Sequence, residues 1–225
     1  MKYPYTKIPV AKLSKEEWLM LRKKGIGGSE AAVILGLSPW TTVEELWKEK
    51  TSDTVTNMQN ESMYWGTLLE DIVAKEFAKR TGMNVYKYQY MLFSTQHPFI
   101  TANADRRIKN TNDKFLGLEC KTTSFTQKQR WNTTHIPPHY YAQVQQYMYV
   151  TGAEEWYVAV LIGGNYFLAY HVKRDEPFIN EMVKEEVRFW IEYVVPQQYP
   201  YCYVPTTTID ENWKQLVERL DIPYV

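Results

Sequence analysis

Between residues 115 and 123 the chain reads FLGLECKTT, and this run constrains the fold more than any other. Side chains along a strand alternate between the two faces of its sheet. Leu116, Leu118 and Cys120 therefore share one face, and Gly117, Glu119 and Lys121 share the other. The apolar face requires a core, which makes this a central strand. The polar face offers a carboxylate that suits a hard divalent cation. It also offers an ammonium able to orient a water or offset charge on a phosphate oxygen. Gly117 is expected to leave room there for a close approach. Upstream, FITANADRRI (99–108) is a second strand-like run, separated from the first by the turn signal NTND. A tight turn between them would bring Asp105 near Glu119 as a second acidic ligand. On spacing alone, an ordinary salt bridge on an edge strand is the competing reading.

The flanking segments read as helices. SKEEWLMLRKK (14–24) has Ser14 as N-cap and Glu17 at the capping-box position. The loop GIGG leads into a short apolar helix stopped at Gly36, and residues 42–50 suit another. Residues 51–62 read as a polar, mobile loop. Residues 64–81 form a strong helix ended by Gly82, residues 83–93 suit one strand, and Pro137–Pro138 open a helix closed by Gly152. Residues 155–162 and 165–173 read as a hairpin across GGN, 178–194 as an amphipathic helix, and ENWKQLVERL as a terminal helix after a proline-broken linker. Central strands between helices indicate an α/β or α+β layered domain. The expected organisation is a main domain over 1–195, with 196–225 packed on it as linker and helix.

Charge narrows the function. The 225 residues carry 26 basic and 26 acidic side chains, so no strongly basic nucleic-acid binder shows in the total. Residues 1–153, however, hold 20 Lys and Arg against 14 Asp and Glu, a net +6, while 154–225 hold 6 against 12, a net −6. Such asymmetry allows an anion-binding face on a neutral protein, or two solvated surfaces that happen to differ. The two cysteines, Cys120 and Cys202, are too few for a disulfide framework or an iron–sulfur cluster. No apolar run reads as a signal peptide or a membrane span, so a cytoplasmic, reducing location is expected.

Three further groups could carry chemistry. Glu70 lies at the margin of the apolar face of its helix, close in azimuth to Phe77, although periodicity does not choose between Glu70 and Glu76. Arg22, the GIGG amides and Ser29 sit at a helix start, where an anion is favoured. Gln143 and Tyr147 are four apart on one helical face, with Tyr140 on the same side. No nucleophile elbow is present, and the four histidines are scattered.

In order, WLMLRKKGIGGSEAAVILG, WGTLLEDIVAKEF, ITANADRRI, LECKTT and YYAQVQQYMYVTG resemble the YqaJ-type viral recombinases and lambda-type phage exonucleases, within the PD-(D/E)XK nuclease superfamily. Past residue 154 no motif is recognised. The resemblance implies a restriction-endonuclease-like mixed sheet flanked by helices. It makes Asp105 and Glu119 the acidic metal ligands, with the Cys120 carbonyl as a further oxygen, and Lys121 the lysine that positions the water. Glu70 occupies the helix-glutamate position, and Arg22, Ser29, Gln143 and Tyr147 match positions that hold a terminal 5′-phosphate. Ala104 stands where the superfamily motif has proline. The implied activity is Mg²⁺-dependent 5′→3′ exonuclease action on double-stranded DNA, leaving 3′ overhangs, with two ions bound and Mn²⁺ as a substitute. Implied partners are DNA ends, a homotrimeric ring and a single-strand annealing protein, in a bacterial host carrying phage or prophage genes. The alternatives are another nuclease on this fold, endonuclease or Cas4-like, or a non-catalytic DNA-binding module. The missing cysteine cluster argues against a Cas4-like enzyme, and the intact Asp105, Glu119 and Lys121 against the module.

Overall fold

The computed structural model describes residues 3–54, 60–111 and 114–223. Local chemistry sets the helix ends. α1 (Lys15–Lys23) begins at Ser14, whose hydroxyl accepts from the Glu17 amide while Glu17 accepts the Ser14 N–H at 2.7 Å. α2 (Gly28–Ile34) is short and apolar, and α3 (Val43–Thr51) repeats the capping box with Thr42 and Glu45. α4 (Glu61–Thr81) starts three residues earlier than expected because Asn60 caps it, and it stops at the left-handed Gly82. Of the loop read over 51–62, residues 55–59 lie outside the described residues, as do Asn112 and Asp113 of the NTND turn. α5 (Pro138–Thr151) has proline in its first turn and the left-handed Gly152 after its end. α6 (Glu176–Phe189) is capped by Asp175 and runs into a π-turn over Trp190–Val194.

Two sheets form among the described residues. The larger has the order β2 (Val85–Lys87), β5 (Arg106–Ile108), β6 (Gly117–Thr123), β7 (Glu155–Ile162), β8 (Tyr166–Lys173), β9 (Val217–Arg219). The β6–β7 pair is parallel and the other pairs antiparallel, so the sheet is mixed. The smaller sheet is antiparallel, with the order β1 (Tyr5–Pro9), β3 (Tyr90–Ser94), β4 (Thr101–Ala102). On one face of the large sheet α4 packs Val73, Ala74 and Phe77 against Leu118, Cys120, Ala159 and Ala169. On the other, Tyr141, Val144 and Met148 of α5 pack against Trp156, Val158, Val160 and Tyr170. The expected mixed sheet between helices is therefore the one observed.

Three expectations need correction. Residues 83–93 are not one strand: the chain leaves the large sheet after Lys87 and enters the small one at Tyr90. FITANADRRI splits in the same way, with β4 in one sheet and β5 in the other, and the break leaves Asp105 at the start of β5. ENWKQLVERL is not a helix. Residues Glu211–Leu216 form a 3₁₀ turn that buries Trp213, and β9 follows, using the exposed edge of β8 for its hydrogen bonds. Pairing with that edge outweighs the helical spacing of Trp213, Val217 and Leu220. The segment after 195 thus completes the main sheet.

Candidate active site

Strand register brings the two acids together. Arg106 pairs with Leu118 and Arg107 with Gly117, so one step back along the chain sets Asp105 against Glu119. The Cys120 amide donates to Asp105 Oδ2 at 2.9 Å, while the Cys120 thiol is buried on the α4 side. Lys121 Nζ donates to Glu119 Oε1 at 2.7 Å and to Gln143 Oε1 at 3.0 Å. Gln143 Nε2 in turn donates to Glu119 Oε1 at 2.6 Å and to the Tyr147 hydroxyl at 2.8 Å. The Lys121 ammonium lies 4.7 Å above the Tyr140 ring. Four expected residues, Glu119, Lys121, Gln143 and Tyr147, thus form one hydrogen-bonded group between β6 and α5, and Asp105 joins it through the Cys120 amide. The space beside Gly117 is not open, however. A Cβ there would fall 2.0 Å from the Trp156 indole, so the glycine admits a core ring rather than a substrate.

Glu70 reaches this group through a residue the sequence reading passed over. Its carboxylate pairs with Arg106, whose Nη1 also donates to the Asp105 carbonyl at 2.8 Å and whose Nη2 lies 3.4 Å from Asp71 Oδ1. Glu76 instead pairs with Arg80 at 2.6 Å. That resolves the ambiguity of helical phase: Glu70, not Glu76, faces the acids. No local spacing marks Arg106, because its partners lie on α4.

The acids are electrostatically crowded. Burial, then the charges of Glu119 and Glu70, push the Asp105 carboxyl well above its usual range. Burial also raises Glu119, against the pull of Lys121. Burial alone would lower Lys121, but the Glu119 carboxylate outweighs it and holds the ammonium charged. Glu119 Oε2 is buried and has no hydrogen-bond partner among the described residues. Among the described residues no three His, Cys, Asp or Glu side chains form a finished metal cage. Mg²⁺ needs none, since it commonly takes one or two carboxylates plus waters and substrate phosphates. Two adjacent carboxylates, one with an unpartnered oxygen, fit such an ion, whose charge would relieve their repulsion.

A second cluster lies beside the first. Arg22 Nη2 pairs with Glu30 Oε1 at 2.7 Å, and Glu30 Oε2 binds both the Gly27 amide at 2.8 Å and Lys50 Nζ at 2.7 Å. The Lys50 side chain is fully buried. Burial pushes Glu30 up, yet Lys50 and Arg22 together hold it below the usual carboxylate range. Expecting the GIGG amides to receive an anion is wrong for three of the four. Gly25 donates to Arg22 O, Ile26 to Phe99 O, and Gly27 to the Glu30 side chain. Ser29 is exposed. Gly28 joins the clusters, because a Cβ there would fall 2.5 Å from Tyr147 Cε1 and 3.0 Å from Gln143 Cγ. Glu30 was findable as a capping-box acid three residues after Gly27, whereas Lys50 gives no local signal.

Residues 17–154 match the model of the YqaJ-like viral recombinase domain. Over 193 residues the chain is 45% identical to the uncharacterized protein YqaJ of Bacillus subtilis (strain 168), covering 84% of this chain and 60% of that relative. The chain thus spans less than two thirds of that relative's length. The crystal structure of an alkaline exonuclease, LHK-Exo, from Laribacter hongkongensis superposes with a TM-score of 0.65 at 20% identity, covering 82% of this chain and 95% of that one. A phage-related exonuclease from Haemophilus somnus 129PT gives a TM-score of 0.57 at 16% identity, covering 77% and 94%. At these identities the likeness is one of fold.

Proposed function

Because this chain belongs to the YqaJ-like viral recombinase family, we propose that it is a Mg²⁺-dependent 5′→3′ exonuclease of double-stranded DNA, a PD-(D/E)XK enzyme acting in phage-type recombination. The observation that carries this reading is the Asp105–Glu119 pair with Lys121 bonded to it and one Glu119 oxygen unpartnered. Asp105, Glu119, Glu70 and the Cys120 carbonyl would hold the metal. Bound there, it supplies Lewis-acid activation of water and stabilisation of charge on the scissile phosphate.

The chain's own residues do the rest. Gln143, anchored by Tyr147, fixes the Glu119 carboxylate in one orientation. Lys121 keeps its proton and points an N–H at the reacting centre, where it orients the attacking water and offsets phosphate charge. Arg22 and Ser29 face the terminal 5′-phosphate, and Arg106 holds Glu70 in place and tempers the repulsion among the acids. Binding a terminal phosphate makes cleavage start at a 5′ end, which leaves a 3′ overhang. A homotrimeric ring with its basic surface inward would reconcile zero net charge with DNA binding. A single-strand annealing protein is the complementary partner, within the cytoplasm of a phage- or prophage-bearing host. Among the described residues no helix is long and apolar enough to cross a membrane.

The test is digestion of linear and covalently closed circular duplexes with Mg²⁺ or EDTA. Linear DNA should be degraded with Mg²⁺ and closed circles spared. Cutting of relaxed circles, or no cutting of either, defeats the reading.

A further inference from the structure

A path of aromatic rings leads away from Lys121 toward solvent. The ammonium lies over Tyr140, the Tyr140 ring centroid is 4.1 Å from that of His139, and Trp40 meets His139 edge-on at 4.7 Å. Trp40 is 69% exposed, an unusual position for so large a ring. Beside His139 opens a cavity of about 530 Å³, walled by Pro39, Pro137, Pro138 and Trp213, with Arg130 at its edge. That volume lies within the range of small-molecule sites, roughly 300–1,000 Å³. Its walls are flat and rigid, prolines and aromatic rings, and its charged side chains are Arg130 and the Lys214–Glu211 pair, a net excess of one positive charge. Burial, then the Lys121 and Arg130 charges, lower the His139 pKa to about 4, so the buried ring is neutral and packs between Tyr140 and Trp40 without bringing a charge to the cavity. None of the residues that line the cavity belongs to the acid cluster or to the Arg22 group.

We propose that this cavity, with the Trp40 ring beside it, is a deoxynucleotide subsite in which the base stacks on the exposed Trp40 ring and the Pro39 and Pro138 faces and its phosphate meets Arg130. Flat apolar faces with one cation suit a base and a phosphate, and any base presents a π-face to them. The subsite joins the candidate centre through Tyr140, so it rests on the nuclease reading for its purpose. Its occupant is either a nucleotide of the strand being digested or the mononucleotide released from it.

Equilibrium binding in EDTA tests the subsite without catalysis. Probes are dAMP, a 5′-phosphorylated single-stranded oligonucleotide, and the same oligonucleotide with abasic residues at its 5′ end. Trp40→Ala and Arg130→Gln alter exposed side chains, so folding is not at stake. Each should weaken binding of the base-bearing probes on the order of tenfold, as expected for one stacked base. Trp40→Ala should leave abasic binding unchanged. Saturation by dAMP with competition against the oligonucleotide identifies the released product, and oligonucleotide binding that dAMP does not displace identifies the strand; both support the proposal. Equal losses for intact and abasic probes in Trp40→Ala, or unchanged affinity in both variants, overturn it. Digestion of linear duplex by the unaltered protein is scored separately. Its failure removes the nuclease reading, while the titrations still decide whether the subsite exists.

Discussion

Glu30→Gln tests how the phosphate-side cluster is held together. Glu30 accepts from Arg22, Lys50 and the Gly27 amide, and Lys50 has no exposed side-chain surface. Glutamine keeps the size and can still accept the Gly27 N–H, but it removes the only carboxylate paired with Lys50 among the described residues. Leaving one partner of a buried ion pair uncompensated costs about 3–5 kcal/mol. Retaining the amide hydrogen bond returns roughly 1 kcal/mol, which leaves a loss near 3 kcal/mol. For a chain of this size each kcal/mol moves Tm by roughly 2–4 °C, so a drop on the order of 6–12 °C is expected. Thermal and urea unfolding measure it. Lys50→Met in the same background should restore much of the loss, since the orphaned ammonium is then gone, and the double-mutant coupling should exceed about 1 kcal/mol. A single-variant loss below about 1 kcal/mol, or a coupling near zero, would refute the view that these charges act as a buried unit.

Four other outcomes follow from the geometry. Glu119→Gln should abolish Mg²⁺-supported cleavage while DNA binding in Ca²⁺ survives; Lys121→Ala should lose about 10²–10⁴-fold in rate yet keep its metal affinity by calorimetry. Arg22→Ala should slow digestion of 5′-phosphorylated ends about tenfold more than that of 5′-hydroxyl ends, and an equal loss on both would reduce Arg22 to a member of a general basic patch. Glu186 is buried, neither of its oxygens has a hydrogen-bond partner among the described residues, and burial followed by the charge of Glu30 raises its pKa well above the usual value. The folded state keeps that proton to higher pH than the unfolded state, so stability falls as pH rises above about 4.3, by up to about 1.4 kcal/mol per unit within the window. Glu186→Gln should therefore gain in Tm relative to the parent, and the gain should widen from pH 5 to pH 8; a constant gap contradicts the assignment.

Asp105, Glu119 and Lys121 are legible in the sequence because strand alternation and register are short-range rules. Capping makes the ends of α1 and α5 legible for the same reason. What escapes is what depends on distant partners. Arg106 matters through Glu70 on another element, and Lys50 through Glu30 on another helix, so neither leaves a local pattern. Gly117 misleads because its emptiness is filled from β7 by Trp156. The terminal segment misleads because a helical spacing of apolar residues also serves a 3₁₀ turn followed by a strand, and the free edge of β8 favours the second.

The outer strands of both sheets bear on how copies of this chain can meet. β2 and β9, at the two ends of the large sheet, are three residues long. In the small sheet β1 carries Lys7 and ends at Pro9, and β4 is two residues long, with its Thr101 amide already bonded to the Ile26 carbonyl at 2.9 Å. Short strands, lysine and proline all blunt a sheet border against further strands. Among the described residues, association by strand addition, whether into a closed ring or an open fibre, therefore finds no edge longer than the five residues of β1. Assembly through side-chain surfaces on helices and loops would leave the register of β5 and β6, and with it the Asp105–Glu119 pairing, unchanged.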